Sequence, residues 1–243
     1  MKPRIGLNCD IEELNRIGES GRTRSRVWDS YHRLISQHGG TPLMIPPDVA
    51  PAEVGSMLDG VLLIGGDDYY AALPYEGDLP SRFLAVHPDR EKADLQWSRF
   101  LISSDLPVLG ICGGFQVLAL EAGGRLFGDL EDETGSTLIH RRKEVDVGPL
   151  PDHPIRWHGG LDRTPAEGSF QVNSSHHQAV AQLPPGWKLL ADAADGIIES
   201  AVDDSGRMVG VQWHPELIPD EPISRAITCR FIEWSRQQMK ERD

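Results

Sequence analysis

The residues best suited to chemistry in this sequence are a thiol and an imidazole, each at the end of a short apolar run. Cys112 stands in Pro107-Val-Leu-Gly-Ile-Cys-Gly-Gly-Phe-Gln116. Val108 to Ile111 is too short for a helix and reads as a buried strand. Gly113 and Gly114 then open a helix continued by Phe115, Val117, Leu118 and Leu120. Gly110, Cys112 and Gly114 make the pattern G-x-C-x-G, a strand–turn–helix elbow with cysteine in the nucleophile's place. Small flanking residues suit a tight turn with unusual backbone angles. The elbow lifts the thiol off the sheet edge to a helix N-terminus, where the macrodipole favours thiolate, the nucleophilic form. The competing reading is a buried structural cysteine, the common fate of a free one.

A thiol nucleophile needs a base. The best context among nine histidines is Val209-Gly-Val-Gln-Trp-His-Pro-Glu216. Here a strand delivers His214 at its C-terminal end, where open parallel sheets place their sites. Pro215 stops the strand. Glu216, two residues on, is close enough to accept the imidazole N–H and set its tautomer and orientation. His140, His153 and His158 are too scattered for a zinc spacing. His176 and His177 are adjacent, so on a strand they point to opposite faces and do not share one metal. Neither a metal nor a cofactor is expected.

These groups require strands that end at one sheet edge. Arg4 to Asn8 reads as the first strand and Glu12 to Gly21 as a polar loop. Ser25 to His38 carries Val27, Tyr31, Leu34 and Ile35 at helical spacing and stops at Gly39-Gly40. Leu43 to Ile45 is a strand, Pro51 to Leu58 a short helix with proline at its start, and Val61 to Ile64 a buried strand running into Gly65-Gly66-Asp67-Asp68. A helix follows over about Asp89 to Ser103. Alternating short strands and amphipathic helices predict an α/β fold: a mostly parallel central sheet with helices on both faces. Beyond Gly123-Gly124, Ser136 to Phe170 suggests irregular hairpins. Phe170–Asn173, Lys188–Ala191, Ile197–Val202 and Met208–Gln212 read as strands, with additional antiparallel strands or hairpins expected in this C-terminal half, and Ile223 to Lys240 reads as the last helix. Residues 1–243 are read as one domain.

With both runs in view, Gly-Ile-Cys-Gly-Gly-Phe-Gln (110–116) and Val-Gln-Trp-His-Pro-Glu (211–216) resemble the two signatures of class I glutamine amidotransferase-type hydrolases. More narrowly, the chain resembles the γ-glutamyl-γ-aminobutyrate hydrolase family. Leu-Leu-Ile-Gly-Gly-Asp-Asp (62–68), Gly-Gly-Arg-Leu-Phe-Gly-Asp-Leu (123–130), Val-Asn-Ser-Ser-His-His-Gln-Ala-Val (172–180) and Asp-Gly-Ile-Ile-Glu-Ser (195–200) match in the family's order. The resemblance implies that Cys112 attacks a γ-glutamyl carbonyl, giving a glutamyl thioester and a free amine. His214 is then base and later acid, and Glu216 orients it. The Gly113 N–H and the Gly65-Gly66 turn, with Gly66 as donor, are the implied oxyanion hole. Gly65, Gln116, Ser174, Ser175 and His176 are the implied substrate contacts, with the choice between His176 and His177 for the pocket left open. Two departures stand out. Gly113 occupies a position where the family often has a large or basic residue. Asp67-Asp68-Tyr69-Tyr70-Ala71 replaces an acidic residue followed by proline. Tyr69 and Tyr70 are either a wall for the leaving amine or packed aromatics.

The expected substrate is a small γ-glutamyl amide, hydrolysed without a partner. The alternatives are a glutaminase component passing ammonia to a synthase, and a non-enzymatic thiol sensor. His214 and Glu216 count against the sensor, which needs only the thiol. A net charge of −13 argues against nucleic-acid or anionic-membrane surfaces, which need clustered Lys and Arg. Arg22 to Arg26 is read as a solvated loop or a local anion contact. Three distant cysteines and the lack of a C-x-x-C pair fit a reducing compartment. With no apolar leader at Met1 and no long apolar run, a cytoplasmic location is expected. Cys9, at the end of the first strand, is read as structural. The sequence leaves the oligomeric state open, a homo-oligomer included.

Overall fold

A computed structural model describes residues 1–14, 21–72, 80, 82–141 and 149–242. In chain order the strands are β1 (Arg4–Asn8), β2 (Asp10–Leu14), β3 (Arg22–Arg26), β4 (Thr41–Ile45), β5 (Gly60–Leu63), β6 (Val108–Ile111), β7 (Arg125–Phe127), β8 (Asp152–Trp157), β9 (Gly168–Asn173), β10 (Ala179–Gln182), β11 (Trp187–Ala193), β12 (Ile198–Asp203) and β13 (Met208–Val211). The α-helices are α1 (Asp29–Gln37), α2 (Pro51–Val54), α3 (Pro88–Ile102), α4 (Gly113–Glu121), α5 (Leu130–Thr134) and α6 (Pro222–Arg242).

One nine-stranded sheet, in the order β4-β1-β5-β6-β13-β12-β11-β8-β9, organises the described residues. The first five strands are mutually parallel, and the remaining pairings are antiparallel. The expected antiparallel strands therefore extend the parallel sheet itself. The inner parallel strands β5, β6 and β13 are short and apolar on both faces because each face is covered. Leu62, Leu109, Ile111, Val209 and Val211 pack with Tyr31, Leu34 and Ile35 of α1 and Ile223, Ile227 and Phe231 of α6. Val61, Leu63, Val108 and Met208 pack on the other side with Trp97 and Leu101 of α3 and Phe115 and Leu118 of α4. No helix among the described residues is long and apolar enough to cross a membrane.

Several sequence expectations need correction. The polar loop over Glu12–Gly21 is in part a hairpin: β2 pairs antiparallel with β3, its residues 15–20 lying outside the described ones. Neither strand alternates polar and apolar residues. The pairing is cemented by ions, Arg24 to Glu12 and Arg26 to both Asp10 and Glu12. The Arg22–Arg26 patch is thus a strand whose Arg24 and Arg26 pair with acidic residues of the same hairpin. The first helix begins at Asp29 because Ser25 and Arg26 belong to β3. The irregular stretch over Ser136–Phe170 contains a regular strand, β8, although 142–148 lie outside the described residues.

The elbow depends on how closely α4 lies on the sheet. Gly110 of β6 is paired in register with Gly210 of β13. A Cβ on Gly210 would lie 1.8 Å from the Phe115 ring, and one on Gly114 would lie 2.1 Å from the Leu63 carbonyl oxygen. Phe115 is itself held against Trp187, with ring centroids 6.2 Å apart. Gly114→Ala and Gly210→Ala should each cost about 1–3 kcal/mol through overpacking. Thermal unfolding should show each melting lower, by about 2–4 °C per kcal/mol for a chain of this size. An unchanged melting temperature would show that α4 can move off the sheet.

Candidate active site

Cys112 is the residue at which β6 turns into α4, and its backbone is strained. Its φ of 51° and ψ of −111° place it in a region that side chains rarely enter. Only Arg163 shares a positive φ among the described non-glycine residues. The strain is held on both sides: the Cys112 N–H donates to Val211 O at 2.8 Å, and its carbonyl accepts the Gln116 N–H at 3.0 Å. The thiol thus sits over the first turn of α4, whose N–H groups have no intrahelical partners.

His214 reaches the same point from β13, the neighbouring parallel strand. Trp213 anchors it from below, fully buried, with its indole N–H donating to Ser224 Oγ at 3.0 Å. Asn173 clamps its backbone: Asn173 Nδ2 donates to His214 O at 3.0 Å, and the His214 N–H donates to Asn173 Oδ1 at 2.8 Å. Glu216 Oε1 lies 2.7 Å from His214 Nδ1. The contact makes Nδ1 the donor and leaves Nε2 for the thiol side. Burial works against a charge on this imidazole, but the Glu216 carboxylate and the Cys112 sulfur outweigh it. Together they hold the His214 pKa well above the ordinary histidine value. A Cβ on Gly65 would lie 3.1 Å from His214 Cε1 and 3.4 Å from Cys112 Cβ, so imidazole and thiol converge on this glycine.

The glycine loop after β5 is fixed from several directions. The Gly65 N–H donates to Tyr31 Oη at 3.0 Å. Arg90, a buried residue of α3, donates to Gly65 O at 2.8 Å and Ile64 O at 3.3 Å. Its Nε reaches Asp94 at 3.1 Å and its Nη1 reaches Asp10 at 3.2 Å. A trans peptide points its C=O and N–H in opposite directions. Holding Gly65 O on Arg90 therefore turns the Gly66 N–H away from the guanidinium. Gly66 N lies beside the elbow, where a Cβ on Gly113 would be 3.2 Å from it. Neither the Gly66 nor the Gly113 N–H has a hydrogen-bond partner among the described residues. On the loop's far side, His177 bridges Asp68 at 2.9 Å and Asp129 at 3.1 Å.

The structure brings Cys112, His214, Glu216, Gly65, Gly66 and Gly113 into one place. The other expected contacts are distributed differently. Gln116 is buried beside the elbow, its Nε2 donating to Gln178 O at 2.8 Å and Gln212 Oε1 at 3.2 Å. Ser174 is fully buried, and its Oγ donates to His140 O at 2.8 Å. Ser175 is partly exposed. His176 and His177 lie in a loop, not a strand, yet do face opposite ways. His176 turns into a buried group with His140, His153 and Glu199. Sequence distance therefore does not keep His140 and His153 apart, whereas His158 stands elsewhere, beside Asp192. Tyr69 is fully buried, its hydroxyl donating to Asp94 at 2.8 Å, while Tyr70 is half exposed and packs on Phe83. They form no joint wall. Tyr69 instead lies beside the elbow, 3.4 Å from where a Gly113 Cβ would stand.

Sequence reasoning missed Arg90, Tyr31, Asn173 and Gln212. Gln212 shares the His214 motif, and its Nε2 lies 3.5 Å from Cys112 Sγ. Arg90 stands in the charged stretch Asp89-Arg-Glu-Lys92, which reads as a solvated helix face. Cys9 is buried, and burial pushes its thiol up to about 11, the behaviour of an inert core cysteine.

The Peptidase C26 family model matches residues 3–216. A Schizosaccharomyces pombe protein classed by name with the glutamine amidotransferases is 30% identical over 97% of this chain and 90% of its own length. A glutamine amidotransferase-like protein of Lactococcus lactis is 30% identical over 77% of this chain and 79% of its own. The glutamine-hydrolysing GMP synthase of Thermus thermophilus is 37% identical over 60% of this chain but only 25% of its own. A crystal structure of a GMP synthase-type protein from Thermoplasma acidophilum shares the fold, with a TM-score of 0.63 at 17% identity, covering 99% of this chain and 98% of that one. By the extent of these matches the chain belongs to the Peptidase C26 family, among the class I glutamine amidotransferase-like hydrolases.

Proposed function

We propose that the protein hydrolyses γ-glutamyl amide bonds through Cys112, His214 and Glu216. The observation that carries this reading is the strained backbone of Cys112, held beside an imidazole already oriented by a carboxylate. Strain of this kind persists where the surroundings over-determine it, and it clusters at active sites.

In the proposed reaction Cys112 Sγ attacks the γ-carbonyl carbon. The C–S bond forms while the carbonyl electron pair moves onto oxygen. In this reading the Gly66 and Gly113 N–H groups receive that oxyanion. As the tetrahedral intermediate collapses, the C–N bond breaks, and the His214 imidazolium gives its proton to the departing amine nitrogen. His214 then accepts a proton from water, which attacks the thioester. The C–S bond breaks, releasing glutamate and the thiolate, and the imidazolium is restored. Two residues act by positioning. Arg90 fixes the glycine loop and Asn173 fixes the His214 backbone.

The second reading, release of ammonia from glutamine for a synthase, has the same acyl chemistry and differs in the amine. The match to the Thermus thermophilus glutamine-hydrolysing GMP synthase favours it. The stand-alone reading is supported by the relatives matched over most of their own length. Assay of the purified protein with γ-glutamyl-γ-aminobutyrate, other γ-glutamyl amides and glutamine separates the two. The stand-alone hydrolase should turn over amides without a partner. Turnover of glutamine alone would move the assignment to a glutaminase.

Cys112→Ala should lower kcat on the order of 10⁶-fold, as loss of a triad nucleophile does. Cys112→Gly should be equally inactive but more stable than Cys112→Ala by about 1–2 kcal/mol, because glycine tolerates the positive φ. Equal stability in denaturant titrations would mean that the elbow is not strained. Glu216→Gln removes the chief group that raises the His214 pKa. It should lower kcat by about 10²–10⁴-fold and pull the alkaline limb of the pH–rate profile to lower pH. The same raised pKa stabilises the fold. That contribution is complete below the unfolded histidine value, about 6.5, and is lost as pH rises through the folded value. The stability gap between the wild type and Glu216→Gln should therefore narrow on going alkaline.

A further inference from the structure

Away from the thiol, four buried side chains aim their free polar atoms at one point. His140 follows α5, His153 lies on β8, His176 lies in the loop after β9, and Glu199 lies on β12. One donor atom from each falls within 4.8 Å of all the others. Glu199 Oε1 lies 3.4 Å from His153 Nε2, 3.6 Å from His140 Nδ1 and 3.7 Å from His176 Nε2. The His140 ring centroid is 4.8 Å from each of the other two. None of these inward atoms, nor Glu199 Oε2, has a hydrogen-bond partner among the described residues. Buried polar atoms are almost always paired, so four orphans at one point require a missing partner.

The outward ring nitrogens identify that partner. His140 Nε2 contacts Asp195 Oδ2 at 2.9 Å, His176 Nδ1 contacts Gln178 O at 3.0 Å, and His153 Nδ1 contacts Pro154 O at 3.5 Å. Each outer atom is a pure acceptor, so each outer nitrogen carries the proton. In the neutral rings the three inward nitrogens are then bare lone pairs facing a carboxylate. A hydrogen-bonding neighbour cannot satisfy four acceptors at once, but a cation can. Carboxylate or backbone acceptors behind ligating histidines are the usual second layer of a metal site.

We propose that His140 Nδ1, His153 Nε2, His176 Nε2 and Glu199 bind one divalent transition-metal ion, of which zinc fits best. With bonds of 2.0–2.1 Å, a tetrahedral zinc site has ligand–ligand edges of about 3.3–3.4 Å. The carboxylate–imidazole distances are close to this already. Three nitrogens exclude the all-oxygen preference of magnesium and calcium. Four protein ligands fill the tetrahedron and leave no open position, so the ion is structural. It ties β8 and β12 to the loop that follows Asn173, the residue that clamps His214. The carbonyl that receives His176 Nδ1 also receives Gln116 Nε2. The metal would thus hold one wall of the thiol site without touching the reacting atoms.

The test is metal analysis of the purified full-length protein, stripped with chelator and then equilibrated with zinc and desalted. About one equivalent of zinc should remain per chain. Zinc at a hundredfold excess over its Kd should raise the melting temperature of the stripped protein by about 5–10 °C. His153→Gln and Glu199→Gln should lose the bound zinc and this shift. Cobalt substituted into the wild type should give the intense visible d–d bands of a tetrahedral site, a readout that needs no variant to fold. Absence of bound zinc and cobalt in the wild type would overturn the proposal, leaving a proton-sharing cluster. Zinc retained by both variants would also overturn it, as binding elsewhere. Either result leaves the assignment of Cys112 intact, because none of these measurements reads hydrolysis.

Discussion

The close seating of α4 on the parallel strands is the constraint on which the rest of the site depends. A helix that begins immediately after a strand and packs back on that strand cannot do so with ordinary side chains at the contact. Gly110, Gly114 and Gly210 remove them, and the Phe115 ring occupies the space over Gly210. The chain between Ile111 and Gly113 is then forced through a single residue with positive φ. That residue carries the thiol. Strain, close packing and the unpaired N–H at the start of α4 are one geometric fact seen from three sides.

The second requirement is that the glycine loop keep its shape without hydrogen-bonded secondary structure. The protein meets it with a buried cation. Arg90 is 1% exposed and its guanidinium is shared among two carboxylates and two loop carbonyls. Burial opposes the charge, but Tyr69, Asp94 and Asp10 more than offset it and keep the side chain cationic. Asp94 in turn accepts from Asn8 Nδ2 and the Tyr69 hydroxyl, and Asn8 Oδ1 accepts the Ile64 N–H. Such a network is stable only when complete, since removing one partner of a buried charge typically costs about 3–5 kcal/mol. A completed network rigidifies, which is what an oxyanion donor requires.

The sequence was informative where one short segment had to satisfy both backbone and chemistry. The G-x-C-x-G run, the Gly65-Gly66 exit of β5 and His214-Pro-Glu216 are each legible because turn geometry and reactive side chain fall within a few residues. The alternating strands and helices up to α4 are legible for the same local reason. The β2–β3 hairpin was not, because ion pairs across it replace the apolar alternation that marks a strand. Arg90 was hidden because charged residues near a helix start ordinarily face water. Asn173 and Gln212 lay inside recognised runs, but their partners are set by strand order in the sheet. The His140–His153–His176–Glu199 group defeats spacing rules because its ligands come from separate strands and loops. β8 and β12 are separated in the sheet only by β11.

This division follows the two halves of the sheet. In the parallel half, crossover helices cover both faces and hold each strand end, so Cys112 and the glycine loop are positioned by core packing. The antiparallel half has no such crossovers, yet it must supply the opposite wall and the clamp on His214. Asn173 ends β9, which among the described residues is the last strand of the sheet and pairs on one side only, with β8. Nothing in the ladder itself would keep the chain beyond it close to β13. Two local devices do so: the paired hydrogen bonds between Asn173 and the His214 backbone, and the convergence of His140, His153, His176 and Glu199 just beyond it. The metal ion proposed at that convergence would tie the loop beyond β9 to β8 and to β12, the strand paired with β13.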